Sequence, residues 1–363
     1  MFPGNRTVVT TAEEIVDAME ARYGAAQRNW VMDRGMTSEA KLRSPRGPTT
    51  ELLTTASLEW TIGQMREPDF FLVGAPRSGT TAMDAYLKQH PEIFMPHLKD
   101  FHFFGSDLPF IHRPPRAQRD YLAHFEPARD QKRVGESSVW YLYSRRAASE
   151  IKAFCAEASI LIMLRNPVDM MYSLHSQRLA IGGEDIEDFV RALAAEDARR
   201  RGIGLPRHPG MQEAVFYRRI ARYADQVGRY LEVFGRDNVH VVVFDDFERD
   251  TARTYADVLR FLGVSTEFRP EFPVVNANRR TVSKAATHLL WRPPGLVLRL
   301  GSLLVSRTVQ RRTIEFLTRL VAKTEPRPAM DPALRAQLQA EFAPEVERLS
   351  ALLGRDLTGW TRS

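Results

Sequence analysis

The 363-residue chain holds a single cysteine, Cys155. One thiol closes no internal disulfide and builds no cysteine-rich metal site. No run of about 18 uninterrupted apolar residues occurs, which argues against a membrane-spanning helix. The opening Met1-Phe-Pro-Gly-Asn-Arg-Thr7 carries no apolar stretch of the kind a secretory leader needs. A cytoplasmic protein is the simplest expectation. Lysine is scarce as well: seven of the 51 basic residues are lysine and 44 are arginine, with a net charge of +6. Arginine's planar fork suits phosphate and sulfate, although such a bias also follows genome base composition. No dense basic tract with interleaved aromatics is present, so a nucleic-acid partner is not expected. Repeats and low-complexity tracts are missing too. What remains is a globular composition, 44% hydrophobic and 26% charged.

Residues 70–87 organise the chain. Phe70–Val73 is a short apolar run that reads as a buried strand. Gly74 to Gly79 is a turn-rich loop. From Thr80, the apolar positions Ala82, Met83, Tyr86 and Leu87 recur at helical spacing until His90-Pro91. Strand, glycine loop and helix together present free backbone N–H groups to a phosphate. The spacing Gly74-x-x-x-x-Gly79 matches a Walker loop, but Thr80 stands where the lysine should be and Arg77 is the loop's only cation. That argues against ordinary ATP or GTP hydrolysis. The plain alternative is a tight strand-to-helix turn.

A second stretch, residues 159–173, has the same layout. Ile160–Leu164 reads as a central strand, Asn166 as a helix cap and Pro167 as a first helical position. Arg165 then lies at the carboxyl end of a strand, where open α/β sheets bind ligands. Ser173 follows two turns into the helix, and the pair can converge on one anion. The alternative is an arginine that pairs with a carboxylate. Between the two stretches, Lys99, Asp100 and His102 sit among Phe94, Met95, Phe101, Phe103 and Phe104. Apolar surroundings give a carboxylate or imidazole a useful pKa. If residues 100–104 are extended, Asp100 and His102 point to one side.

The remaining segments carry less chemistry. Residues 1–65 read as a helical extension, with a capping box at Thr11-x-x-Glu14 and a polar linker over 33–49. Residues 106–133 read as a surface loop, 135–143 as a strand end that enters a helix, and Ile151–Cys155 as helical. Residues 185–235 read as mostly helical. Val239–Phe244 reads as a strand ending in Asp245-Asp246, formally like a Walker B magnesium site. A turn toward a helix over 251–262, closed by Gly263, is the better account. Residues 273–284 form a polar, basic loop with Arg279 and Arg280, which either folds over an anion or is solvated. Residues 295–321 read as a basic amphipathic helix, packed on the protein or lying on a membrane surface. A final helix spans 331–354.

Taken together, the loop and the Arg165/Ser173 pair resemble the sulfotransferases that use 3′-phosphoadenosine 5′-phosphosulfate. The family's 5′-phosphosulfate loop is matched by Pro76-Arg77-Ser78-Gly79-Thr80-Thr81, and its 3′-phosphate motif by Arg165 and Ser173. Lys99-Asp100-Phe101-His102-Phe103-Phe104 is similar to a segment of the heparan-sulfate-type members in which the acidic residue is the general base. The resemblance covers roughly residues 68–283. It implies a P-loop NTPase-like three-layer α/β sandwich with a central, mainly parallel sheet over 66–283, with helical extensions at 1–65 and 284–363. It also implies transfer of a sulfuryl group to a hydroxyl or amine on a carbohydrate, small metabolite or lipid headgroup, without a metal. Arg77, Ser78, Gly79, Thr80 and Thr81 would hold the 5′-phosphosulfate, and Arg165, Ser173, Arg279 and Arg280 the rest of the nucleotide. Asp100, or His102, would take the acceptor's proton. Three departures stand out: Arg77 for the usual lysine, Ser137 for a lysine after Glu136, and Gly105 for an aspartate. The competing readings are a P-loop nucleotide kinase and a non-enzymatic nucleotide-binding or membrane-surface adaptor.

Overall fold

A computed structural model describes residues 66–108, 117–206, 210–273, 279–281, 322–324 and 328–362. The helices expected within residues 1–65 and over 295–321 lie outside the described residues. The central sheet has five strands: β1 (Phe70–Gly74), β2 (Ile93–Phe94), β3 (Arg133–Ser137), β4 (Ser159–Leu164) and β5 (Val239–Val243). Their spatial order is β2-β3-β1-β4-β5, and every pairing is parallel. Parallel strands buried on both faces are apolar throughout, and Phe70–Val73 and Ile160–Leu164 are fully buried accordingly. Gly135 in β3 is a packing requirement: a Cβ there would fall 2.1 Å from the Phe70 ring and 2.4 Å from Met95 Sδ.

Helix α1 (Thr80–Leu87) follows β1 directly, and α4 (Pro167–Ala180) follows β4. Between them run α2 (Gln118–Leu122) and α3 (Ala147–Phe154). After α4 come α5 (Phe189–Ala194), α6 (Glu196–Arg200), α7 (Tyr217–Ile220) and α8 (Tyr223–Phe234), then α9 (Phe244–Arg249) and α10 (Thr251–Leu262) beyond β5. On one sheet face Phe70, Leu72, Leu161, Met163 and Val242 pack against Met83 and Leu87 of α1 and Val258, Leu259 and Leu262 of α10. The chain fills one side of β1 before crossing to β4. The carboxyl ends of β1 and β4 therefore meet at the point where strand order reverses, which is where open α/β sheets hold ligands. The last long helix, α11 (Pro332–Leu353), buries Leu338, Phe342, Val346 and Leu349 and ends at Gly354 in the left-handed region.

Several segments depart from the sequence reading. Residues 106–133 are not all surface loop: α2 and a 3₁₀ turn over Ala123–Phe125 bury Tyr121, Leu122 and Phe125 completely. Residues 138–146 do not enter a helix. Ser138 N donates to Leu72 O at 3.1 Å and Leu142 N to Val73 O at 2.8 Å, which ties this stretch to β1 and postpones the helix to Ala147. Cys155 is extended, just beyond α3. Phe244 opens α9 rather than ending β5. Within the presumed loop at 273–284, Arg279–Thr281 forms a strand, β6, antiparallel to β7 (Ala322–Thr324). Residues 100–104 are not regularly extended, because Asp100 and His102 both have left-handed backbones, φ 59° and 52°.

Candidate active site

The loop between β1 and α1 is built around two features. Gly79, the residue before α1, has φ 89°, which favours glycine. A Cβ there would also crowd Phe244 at 3.1 Å and Met163 at 3.2 Å. The start of α1 makes no side-chain capping bond, and no acidic residue sits in its first turn. The first backbone N–H groups of a helix have no intrahelical partner, so this end suits an anion both by donors and by dipole.

Three side chains from the two sequence motifs converge here. Arg77 Nε donates to Ser173 Oγ at 2.9 Å, and Ser173 is buried on α4. Arg165 Nη1 donates to the Arg77 carbonyl at 3.4 Å, while its guanidinium stacks 4.5 Å from the centre of the Phe244 ring. Asn166 caps α4 by accepting from Val168 N, with Pro167 at the first turn, as the sequence suggests. Ser78 and Thr80 are buried, and burial raises the pKa of Tyr223 on α8, whose hydroxyl lies near Ser78.

Lys99 connects this loop to the acidic segment. Its Nζ donates to Thr81 Oγ1 at 3.0 Å and lies 3.6 Å from Asp100 Oδ2. The Asp100 backbone N donates to Ser137 O at 2.8 Å, and its Oδ1 accepts from Val139 N at 3.2 Å. The His102 backbone N donates to Ser138 Oγ at 3.4 Å. Asp84, one turn above Thr80 on α1, is held at 2.6 Å by Lys88, and burial lifts its carboxyl above the ordinary range. Arg279 and Arg280 lie on β6, next to α4.

Beneath Asp100 sits a group that the sequence reading passed over. Glu136, fully buried in β3, accepts hydrogen bonds from Ser138 Oγ (2.6 Å) and Tyr141 Oη (2.8 Å) on Oε1 and from Tyr121 Oη (2.5 Å) on Oε2. Burial is the largest influence on it and, with the Asp100 charge, pushes its pKa to about 7 against the pull of the three hydroxyls. The local sequence gives little signal, since Glu136 stands between Gly135 and Ser137; its burial in the central sheet is what obliges the carboxylate to find partners.

The two aspartates after β5 do not form a magnesium site with this loop. Asp245 Oδ2 accepts from Trp360 Nε1 at 2.5 Å, and Asp246 is paired with Arg249 and Arg355, each at 2.5 Å. The helix over Thr251–Leu262 takes its N-cap from Asp250 and ends at Gly263. Trp360 also accepts from Asn166 Nδ2 at 3.1 Å, so the C-terminal segment is fastened to the cap that follows Arg165. Among the described residues, no cluster of three or more His, Cys, Asp or Glu side chains has metal-site geometry, and no helix is long and apolar enough to cross a membrane.

This arrangement has relatives. The fold superposes on the crystal structure of a sulfotransferase from Alicyclobacillus acidocaldarius with a TM-score of 0.62, at 32% identity, covering 82% of this chain and all of that one. The human heparan sulfate glucosamine 3-O-sulfotransferase 6 is 26% identical over 203 residues, 56% of this chain and 54% of that protein. The membrane-associated sulfotransferase kil1 of Dictyostelium discoideum is 29% identical over 109 residues, 29% of this chain and 22% of that protein. The chain thus spans about half or less of these curated relatives. Residues 67–288 match the sulfotransferase domain, more than half of the sequence, and the chain belongs to that family.

Proposed function

We propose that this protein transfers the sulfuryl group of 3′-phosphoadenosine 5′-phosphosulfate to a hydroxyl or amine of a carbohydrate-type acceptor. The observation that carries this reading is the convergence of Arg77, Arg165 and Ser173 at the uncapped start of α1. Two arginines and a hydroxyl fit a nucleotide with phosphates at both ends better than they fit a lone triphosphate. The residues suit that donor: first-turn amides with Thr80 and Thr81 for the 5′-phosphosulfate, Arg165 and Ser173 for the 3′-phosphate.

Sulfuryl transfer, like phosphoryl transfer, depends on positioning and charge stabilisation. Arg77 would offset the negative charge that grows on the leaving oxygen. Lys99, between Thr81 and Asp100, brings a second cation to the same place. Asp100 would accept the acceptor's proton, with His102 as its partner in orienting the acceptor. The heparan sulfate relatives support a carbohydrate acceptor. Ser137 and Gly105, where such enzymes often carry lysine and aspartate, set this chain's acceptor apart from theirs.

Calorimetry tests the donor site. Adenosine 3′,5′-bisphosphate should bind at least tenfold tighter than ATP with magnesium. Equal or tighter ATP binding would return the kinase reading. Transfer from sulfur-labelled donor to a panel of sugars, amines and lipid headgroups then assigns the acceptor.

A further inference from the structure

The Glu136 cluster lies outside the roles assigned above, and its hydrogens can be counted. Ser138, Tyr141 and Tyr121 each own one hydroxyl hydrogen, and all three are directed at the Glu136 carboxylate. Beyond that bond a hydroxyl oxygen can only accept. Tyr141 Oη accepts from Phe103 N at 3.0 Å and Phe104 N at 3.3 Å. Ser138 Oγ accepts from His102 N at 3.4 Å. Three consecutive amides of the segment bearing Asp100 and His102 thus end, through two hydroxyls, on one buried carboxylate. The same segment contains the two left-handed residues, which need surrounding structure to hold them.

We propose that Glu136 is a positioning residue: through Ser138 and Tyr141 it fixes the backbone of residues 102–104 and so holds Asp100 and His102 over the phosphosulfate loop. This rests on the reading of Asp100 as the acceptor-activating group. The device depends on hydrogen direction. A carboxylate can take all three hydroxyl hydrogens, whereas a carboxylic acid must donate its own to one of them. If that hydroxyl is Tyr141 or Ser138, it turns its hydrogen away inside a buried cluster and the amides face a rearranged partner. The titratable groups that face Glu136 are Asp100 from the segment itself, Tyr121 from α2, Tyr141 from the turn after β3 and Tyr230 from α8. Among them, Asp100 adds to the upward push that burial exerts on the Glu136 carboxyl.

The test compares Tyr141→Phe, Glu136→Leu and Glu136→Gln with the full-length protein. Turnover is read as adenosine 3′,5′-bisphosphate released from the phosphosulfate donor, with the panel of sugars, amines and lipid headgroups named above offered as acceptors. Amide hydrogen exchange is followed on the peptide covering residues 98–106. Tyr141→Phe keeps the ring and removes the hydroxyl. It should speed exchange at Phe103 and Phe104 by about tenfold, the equivalent of one net hydrogen bond. It should lower turnover by a similar factor, while bisphosphate affinity stays within about twofold.

Glu136→Leu should behave likewise. Glu136→Gln can place its carbonyl toward Ser138 and Tyr141 and its NH₂ toward Tyr121, so it should restore turnover. It should also remove the part of the pH profile in which the wild-type rate falls as pH drops through about 7. A Tyr141→Phe protein with unchanged exchange and turnover overturns the inference. So does an equal loss of bisphosphate affinity and turnover, which would mark a folding role. If Glu136→Leu fails to fold, Tyr141→Phe alone decides. Asp100→Asn, run alongside, separates the two readings. Lost turnover there with none lost in Tyr141→Phe defeats this inference alone, and full turnover in Asp100→Asn defeats the reading of Asp100 on which it rests.

Discussion

Arg165→Ala is the sharpest perturbation of the proposed donor site. In the folded protein Arg165 makes a long bond to the Arg77 carbonyl and a cation–π contact with Phe244. A half-buried contact of that type is worth about 0.5–2 kcal/mol. Its loss should therefore lower the melting temperature by only a few degrees in a domain of this size. The ligand should notice far more. An arginine fork on a phosphate makes two charge-assisted hydrogen bonds of about 1.5–3 kcal/mol each. Losing both weakens adenosine 3′,5′-bisphosphate by roughly 10²–10⁴-fold. Binding of 5′-AMP, which lacks the 3′-phosphate, should change less than about threefold. Titration calorimetry of the two nucleotides on both proteins gives the comparison directly. Arg165→Lys should fall between, because an ammonium keeps the charge but loses the fork and the stack on Phe244. Equal weakening of both nucleotides by Arg165→Ala would refute the reasoning, since Arg165 would then act on the fold of the loop rather than on the 3′-phosphate.

The remaining predictions concern the loop, the proton acceptor, the C-terminal contact and pH. Arg77→Ala should depress turnover more than donor affinity, and Arg77→Lys should keep measurable activity; a defect confined to affinity contradicts its role on the leaving oxygen. Asp100→Asn should cut turnover by roughly 10²-fold or more with bisphosphate binding intact, and a near-normal Asp100→Asn beside an inactive His102→Ala would make the histidine the base. Trp360→Ala, which removes the partner of Asp245 and a buried ring, should cost about 3–5 kcal/mol by denaturant titration; an unchanged midpoint would mean the contact does not hold. Glu136 and Glu196 both have folded-state pKa values raised by burial to about 7, so the folded protein takes up their protons first. Between pH 8 and 6.5 stability should rise by about 1–2 kcal/mol in total. Below about pH 7.5 the buried His175 and the half-buried His240, whose pKa values desolvation lowers, begin to oppose the gain. A melting temperature that falls steadily from pH 8 to 6.5 would contradict this.

What the sequence reveals and what it hides follow from the range of each interaction. Strand β1, the glycine loop and α1 are contiguous, and their signals are local: an apolar run, two glycines, a helical period. Asn166 and Pro167 announce the start of α4 for the same reason, and Arg165 and Ser173 fall into place once the strand order is known. The conformation of residues 100–104 was not legible, because its left-handed backbones are held by Ser137, Ser138, Val139 and Tyr141, more than 30 residues away. Alternation therefore predicted an extended segment where tertiary bonds impose another shape. Residues 118–125 misled for a related reason. Their charged residues face outward, while Leu122 is fully buried and Tyr121 and Phe125 are packed into an aromatic cluster with Phe101 and Phe104. Asp245 illustrates the limit of motif matching: its partner, Trp360, is 115 residues downstream.

The Phe244 ring has a consequence for how this site can change. One of its edges fills the space into which a Cβ on Gly79 would grow, and its face carries the Arg165 guanidinium. The glycine of one motif and the arginine of the other, separated by 86 positions, thus lean on the same six carbon atoms. A side chain added at 79 displaces the ring and tilts the arginine, and a smaller residue at 244 releases both. Mutations at these three positions should therefore be strongly epistatic, and the two nucleotide-binding motifs cannot be exchanged one at a time with those of a relative unless the residue at 244 travels with them.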